Sequence, residues 1–121
     1  MRIATIRVRR DVGSALAEMR VGLITAWQTG EYQGEVFEFE SPTAFFKLLT
    51  LKRWELLERL QVEGPVEVQA LARSLRRDVR RVHDDVQPLL EVGLIERDEE
   101  GHLFVPFGEI RADFTLRGAA A

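Results

Sequence analysis

Five arginines fall within nine residues, Arg73-Ser-Leu-Arg76-Arg77-Asp78-Val79-Arg80-Arg81. Guanidinium groups at this density do one kind of chemistry well: they hold phosphate oxygens and release the counterions that screen them. The chain around them has the opposite sign, with a formal net charge of -3. Residues 71–87 set five Arg against Asp78, Asp84 and Asp85, so that stretch is +2 and the remainder is -5. Positive charge gathered at one place on an acidic chain can focus its field on a polyanion. A solvated arginine face is the plainer account, and the flanking pattern argues against it.

Those flanks have helical periodicity. Val68, Leu71, Ala72 and Leu75 recur at i, i+3, i+4 and i+7, a short helix with one apolar stripe. Arg76-Arg77 make a turn, and Asp78 is a good N-cap type for a second helix over 78–92. In that helix Val79, Val82, Val86, Leu89 and Leu90 form the stripe expected to be buried. At about 100° per residue the opposite face carries Arg77, Arg80, Arg81, Asp84, Pro88 and Glu91. All three of those arginines are expected to be exposed, on the first turn and a half. A recognition helix places its base and phosphate contacts there, because its N-terminal end enters the major groove.

Gly93 closes the second helix and an extended run follows. Leu94-Ile95-Glu96-Arg97 and His102-Leu103-Phe104-Val105 flank Asp98-Glu99-Glu100-Gly101, the pattern of a β-hairpin. Upstream, Ser41 is an N-cap before Pro42 at the first helical position. Phe45, Leu48, Leu49, Leu56, Leu57 and Leu60 then mark a long amphipathic stretch that stops before Gly64-Pro65. Helix, helix-turn-helix and hairpin in this order are the elements of a winged helix-turn-helix.

At residue level, four segments carry a family resemblance. They are Leu51-Lys-Arg-Trp54-Glu-Leu-Leu-Glu-Arg-Leu60, Ala70-Leu-Ala-Arg-Ser-Leu75, Asp78-Val-Arg-Arg-Val-His83-Asp-Asp-Val86 and Glu91-Val-Gly-Leu-Ile-Glu96. Together they resemble the small prokaryotic winged-helix proteins known as predicted transcriptional regulators, several of which are antitoxins of toxin–antitoxin modules. The likeness covers roughly residues 28–116, from Gly30-Glu-Tyr32-Gln-Gly34 to Glu109-Ile-Arg-Ala-Asp-Phe-Thr-Leu116. It implies a DNA-binding repressor of its own operon, and a cognate toxin protein as a partner. The chain departs from the family pattern in two places. Where the family has glycine the turn has Arg76, and where it has Ser or Thr the first short helix starts at Glu67. Each departure costs about 1 kcal/mol at most. Pro88 removes the hydrogen bond to the Asp84 carbonyl and is expected to bend the helix beyond the arginines.

With 121 residues and 45% hydrophobic content the chain can bury a core of its own. The fold class is therefore α+β, mainly α, a winged helix-turn-helix over 41–107 with an N-terminal strand–helix–strand extension over 1–40 and a tail over 108–121. In the extension Ile3 to Arg9 alternates like a strand. Val12, Leu16, Met19, Leu23, Ala26 and Trp27 give an amphipathic helix closed by Gly30, and Glu35 to Glu40 reads as a strand with Phe37 and Phe39 inward. These elements either complete the monomer's core or build a two-fold homodimer interface, since palindromic operators need two recognition helices. The tail from Ile110 to Leu116 has too few apolar residues to stand alone. It either docks beside the hairpin or adds a strand to a partner.

Catalysis is not expected. His83 lies at the edge of the buried stripe, His102 sits beside the hairpin turn, and adjacent Asp84 and Asp85 diverge too far on a helix to chelate one ion. There is no cysteine, no phosphate-binding glycine loop and no Ser/His/Asp signature, so neither metal nor cofactor is expected. No run approaches a membrane span and the N-terminus lacks a signal h-region, so the expectation is a soluble cytoplasmic protein. Two function classes stay open. One is a regulator that binds double-stranded DNA through Arg73, Arg76, Arg77, Arg80, Arg81 and Asp84, with Arg97 and His102 as the hairpin's contribution. The other is a winged-helix module for protein contacts alone, which the acidic hairpin tip, Asp98-Glu99-Glu100, would suit.

Overall fold

Alternation of buried and exposed residues makes Ile3–Val8 a strand, β1, and Glu35–Phe39 a second, β2. The computed structural model describes residues 2–8 and 34–115. Along them follow α1 (Pro42–Leu48), α2 (Leu51–Glu63), α3 (Val68–Leu75), α4 (Val79–Val92), β3 (Glu96–Arg97), β4 (Leu103–Phe104) and β5 (Glu109–Ala112). The protein is α+β, with four helices and two small sheets among the described residues. The helix read from Val12 to Trp27 and the end of the tail, Leu116 to Ala121, lie outside the described residues. The described chain divides into two units: 2–8 with 34–45 and 109–115, and 46–108.

The first unit is a three-stranded sheet in the order β2-β1-β5, with both pairings parallel. Parallel neighbours need long connections, and residues 9–34 and 40–108 provide them. Ala4 and Ile6 of the central strand are fully buried, and the register sets Ile6 beside Phe37 and beside Ala112. The other face carries Arg7 next to Glu38, and Thr5 next to Arg111. Phe45 of α1 is buried between Phe39, at 5.5 Å, and Phe114, at 4.6 Å, both in edge-to-face contact.

Part of the tail expected over 108–121 is thus a strand of this sheet rather than a separate segment. Its residues 109–112 pair with β1, and Phe114 rests on Phe45 within the same unit. Pairing completes the central strand's hydrogen bonds, which a handful of apolar side chains could not do. The boundary also moves, because Phe45 belongs with the strands rather than with the helices after it.

In the second unit the long amphipathic stretch breaks in two at Leu49-Thr50. Thr50 is extended, and its hydroxyl accepts from the Arg53 backbone N–H at 3.3 Å, so α2 starts afresh with its own cap. Leu56, Leu57 and Leu60 face the core. The helix stops at Gly64, where a β-carbon would lie 2.8 Å from the Leu60 carbonyl oxygen and 3.2 Å from that of Leu103. Only glycine fits between a helix end and a strand at that distance.

Beyond it, Val66 and Leu103 exchange backbone hydrogen bonds at 3.0 and 2.7 Å, which adds a third, single-residue rung to the β3–β4 hairpin. α3 buries Leu71 and Ala72, and α4 buries Val82, Val86 and Leu89. Each of those leucine and valine side chains stabilises by about 1.5–3 kcal/mol when withdrawn from water, and the Ala72 methyl by less. Val79, read as part of the stripe, is 41% exposed, so the buried stripe begins one turn later than expected. Pro88 lies inside α4, half-buried rather than outward. Gly93 ends the helix at φ 92°, and its N–H reaches the Leu89 and Leu90 carbonyls.

The hairpin arms are two residues each, shorter than the four expected at each side. Its turn is held by Asp98, whose carboxylate accepts from the backbone N–H of Glu100 at 3.0 Å and of His102 at 2.9 Å. Gly101 supplies the positive φ of 84°. Among the described residues no helix is long and apolar enough to cross a membrane.

Candidate functional site

The turn between α3 and α4 is built without glycine. Arg76 itself takes the left-handed conformation, φ 55° and ψ 45°. Its N–H donates to the Arg73 carbonyl at 3.1 Å, and the Arg77 N–H reaches back to that of Ala72 at 3.0 Å. That bond pair is a Schellman closure, in which a residue with a β-carbon costs about 1 kcal/mol over glycine. Replacing Arg76 with glycine should therefore raise stability by about 0.5–1 kcal/mol, part of the gain being offset by a freer unfolded chain. Urea unfolding checks this, and a loss of stability would mean that the Arg76 side chain holds the turn.

Asp78 stands at the N-cap of α4, extended as a cap should be, but its side chain makes no capping hydrogen bond. Glu67 at the head of α3 makes none either. The first turn of α4 therefore keeps backbone N–H donors that Asp78 leaves unsatisfied, beside two arginines. Arg73, Arg76, Arg80 and Arg81 are all exposed. Their side chains form no ion pair or hydrogen bond among the described residues. Four guanidinium groups without a carboxylate partner are thus clustered around one turn. Asp84 shares that outward side with a side chain 76% exposed, 3.8 Å from His83 Nδ1.

Arg77 behaves differently and corrects the reading of an exposed trio. Its side chain is only 18% exposed, and Nη2 donates to the Asp85 carboxylate. Arg53 of α2 meets the same carboxylate through Nε at 3.0 Å, and donates through Nη1 to the Leu48 carbonyl at 2.8 Å. Arg77 Nη1 is a buried nitrogen without a hydrogen-bond acceptor. Burial raises the Asp85 pKa, and hydrogen bonds and charge from Arg77 and Arg53 outweigh this and hold it below 3.8. Asp85 is therefore an ionised pin joining α2, α4 and the turn, not part of a solvated acidic pair with Asp84. Neither Arg53 nor Asp85 was singled out from the sequence as part of the site. The usable signal was angular: Asp85 lies about 60° from Val82, at the margin of the buried stripe.

The hairpin contributes less than expected. Arg97 is exposed, and its Nη1 leans on the Gly101 carbonyl at 3.4 Å. His102 is half-buried among carboxylates, with Nδ1 3.4 Å from Glu100 and 3.6 Å from Asp98, and Nε2 3.9 Å from Glu67. A ring so surrounded is poorly placed to receive a phosphate. His83 Nε2 lies 3.2 Å from Gln87 Nε2 on the exposed side of α4. Among the described residues no group of three His, Asp or Glu could hold a metal ion.

The arginines and the pin beneath them fall within the stretch that comparison recognises. The model of the HVO_A0114 family matches residues 48–112, more than half of the chain, and the protein belongs to that family. The family designation names no activity, ligand or partner. No curated protein and no solved structure matches the chain.

Proposed function

We propose that this protein is a winged-helix regulator that binds double-stranded DNA, with α4 as its recognition helix in the major groove. The observation that carries the reading is the partnerless set Arg73, Arg76, Arg80 and Arg81, exposed around one turn of an otherwise acidic chain. Folded proteins leave cations unpaired in a cluster at the expense of mutual repulsion, and a polyanion removes that repulsion. Arg73 and Arg76 then meet phosphates, while Arg80 and Arg81 on the first turn of α4 reach base edges or the flanking backbone. Asp84, exposed one turn further on, would accept from a cytosine amino group. The α4 backbone N–H groups that Asp78 leaves unsatisfied suit a phosphate oxygen at the helix start.

The hairpin is then a wing that stays off the phosphates, since Asp98, Glu99 and Glu100 at its tip would be repelled by them. As a repressor of its own operon the protein would act in the cytoplasm as a homodimer on a palindrome. A cognate toxin partner rests on the antitoxin resemblance alone. The test is fluorescence anisotropy with a duplex from the DNA upstream of its own gene and a scrambled duplex of equal length. The reading predicts at least ~1000-fold tighter binding to the former at physiological salt. Equal and weak binding to both would favour the protein-contact module instead.

A further inference from the structure

The three-stranded sheet ends on two edges, β2 and β5, and the described residues cover neither with another strand. A free edge is a row of unpaired backbone donors and acceptors, which proteins either blunt or pair. We propose that β5 is paired with β5 of a second copy, antiparallel about a two-fold axis through Ile110, so that two sheets join into one of six strands.

Backbone phase favours this edge. Asp113 N–H donates to the Ile6 carbonyl at 3.3 Å, so residues 109, 111 and 113 turn their peptide groups toward β1. Ile110 and Ala112, being alternate, turn theirs to the open edge. Two Ile110 residues facing each other can exchange both N–H···O=C bonds, as the hydrogen-bonded pair of an antiparallel ladder requires. The neighbouring positions are then a non-hydrogen-bonded pair, where side chains approach most closely. That pair is Glu109 opposite Arg111 of the partner subunit, and it occurs twice by symmetry.

Charge favours it as well. Within one chain Arg111 Nη2 already lies 3.0 Å from Glu109 on the same face. The second copy adds its own such pair in the reverse order, so four charges alternate around a square. β2 offers no equivalent, because by the same phase its open-edge peptide groups belong to Val36 and Glu38, and a two-fold there sets Glu35 opposite Phe37 or Glu38 opposite Glu38.

This dimer gives the DNA-binding reading its two-fold, but it is decided by sedimentation alone, without DNA. The full-length protein should sediment as a dimer at micromolar concentration. Charge reversal by Arg111→Glu places like charges opposite each other twice and should weaken the dimer ~10-fold or more. Glu109→Arg should do the same. The double variant Glu109→Arg/Arg111→Glu restores alternation and should recover most of the dimer. Circular dichroism of each single variant confirms that the chain is still folded, and if one fails to fold the other carries the test. A monomeric wild-type protein, or single variants that dimerise as well as wild type, would overturn the proposal. Failure of the dimer with DNA binding intact would leave the function standing and this interface wrong.

Discussion

Replacing Arg73, Arg76, Arg80 and Arg81 together with alanine is expected to cut duplex affinity by at least ~100-fold. The unfolding midpoint should stay close to that of the wild type. None of the four side chains has a protein partner to lose among the described residues, and all point to solvent. Removing them even relieves repulsion within the cluster. Arg77→Ala is the contrasting control, because its guanidinium is tied to Asp85 and its loss should appear in stability. Isothermal unfolding beside anisotropy separates the two effects. If the fourfold variant bound DNA as well as the wild type, α4 would not be the reading element.

The second large effect is expected at Asp85. Asp85→Asn leaves Arg53 and Arg77 side by side with one half-buried carboxylate charge gone, and should cost about 2–3 kcal/mol. That figure is discounted from a fully buried pair because each member is about one-fifth exposed. The pH dependence follows from the lowered pKa. Stability contributed by Asp85 is fully present above its ordinary value of 3.8 and is lost as pH falls through the lower folded value. Urea midpoints measured from pH 6 downward should therefore fall more steeply for wild type than for Asp85→Asn. Parallel acid limbs would show that the carboxylate is not held ionised by the two arginines.

Much of the second unit was legible because its signals are local. The stripe of Leu71 and Ala72, the stop at Gly93 and the turn at Gly101 are each settled within one or two helical turns. The capping break at Thr50 was equally local but was hidden by the apolar residues on both sides, which share one phase. What could not be read was pairing between distant residues. Parallel strands at 3–8, 35–39 and 109–112 leave no mark on each other's sequence, so the tail read as docking beside the hairpin or on a partner. The same applies to Asp85: its two arginines come from 32 and 8 residues away. In the arginine run, position alone did not separate Arg77 from Arg76, although one turns inward and the other outward.

The salt dependence of binding tests the central claim most directly. Affinity for the upstream duplex should be measured between 50 and 200 mM salt for wild type and for the fourfold arginine variant. The four phosphate-contacting arginines of a dimer, Arg73 and Arg76 of each copy, predict a slope of log affinity against log salt of about −4, steepening toward about −7 as Arg80 and Arg81 also meet the backbone, with the variant close to flat. A wild-type slope as shallow as the variant's would contradict the assignment of α3 and α4 as a DNA-binding surface.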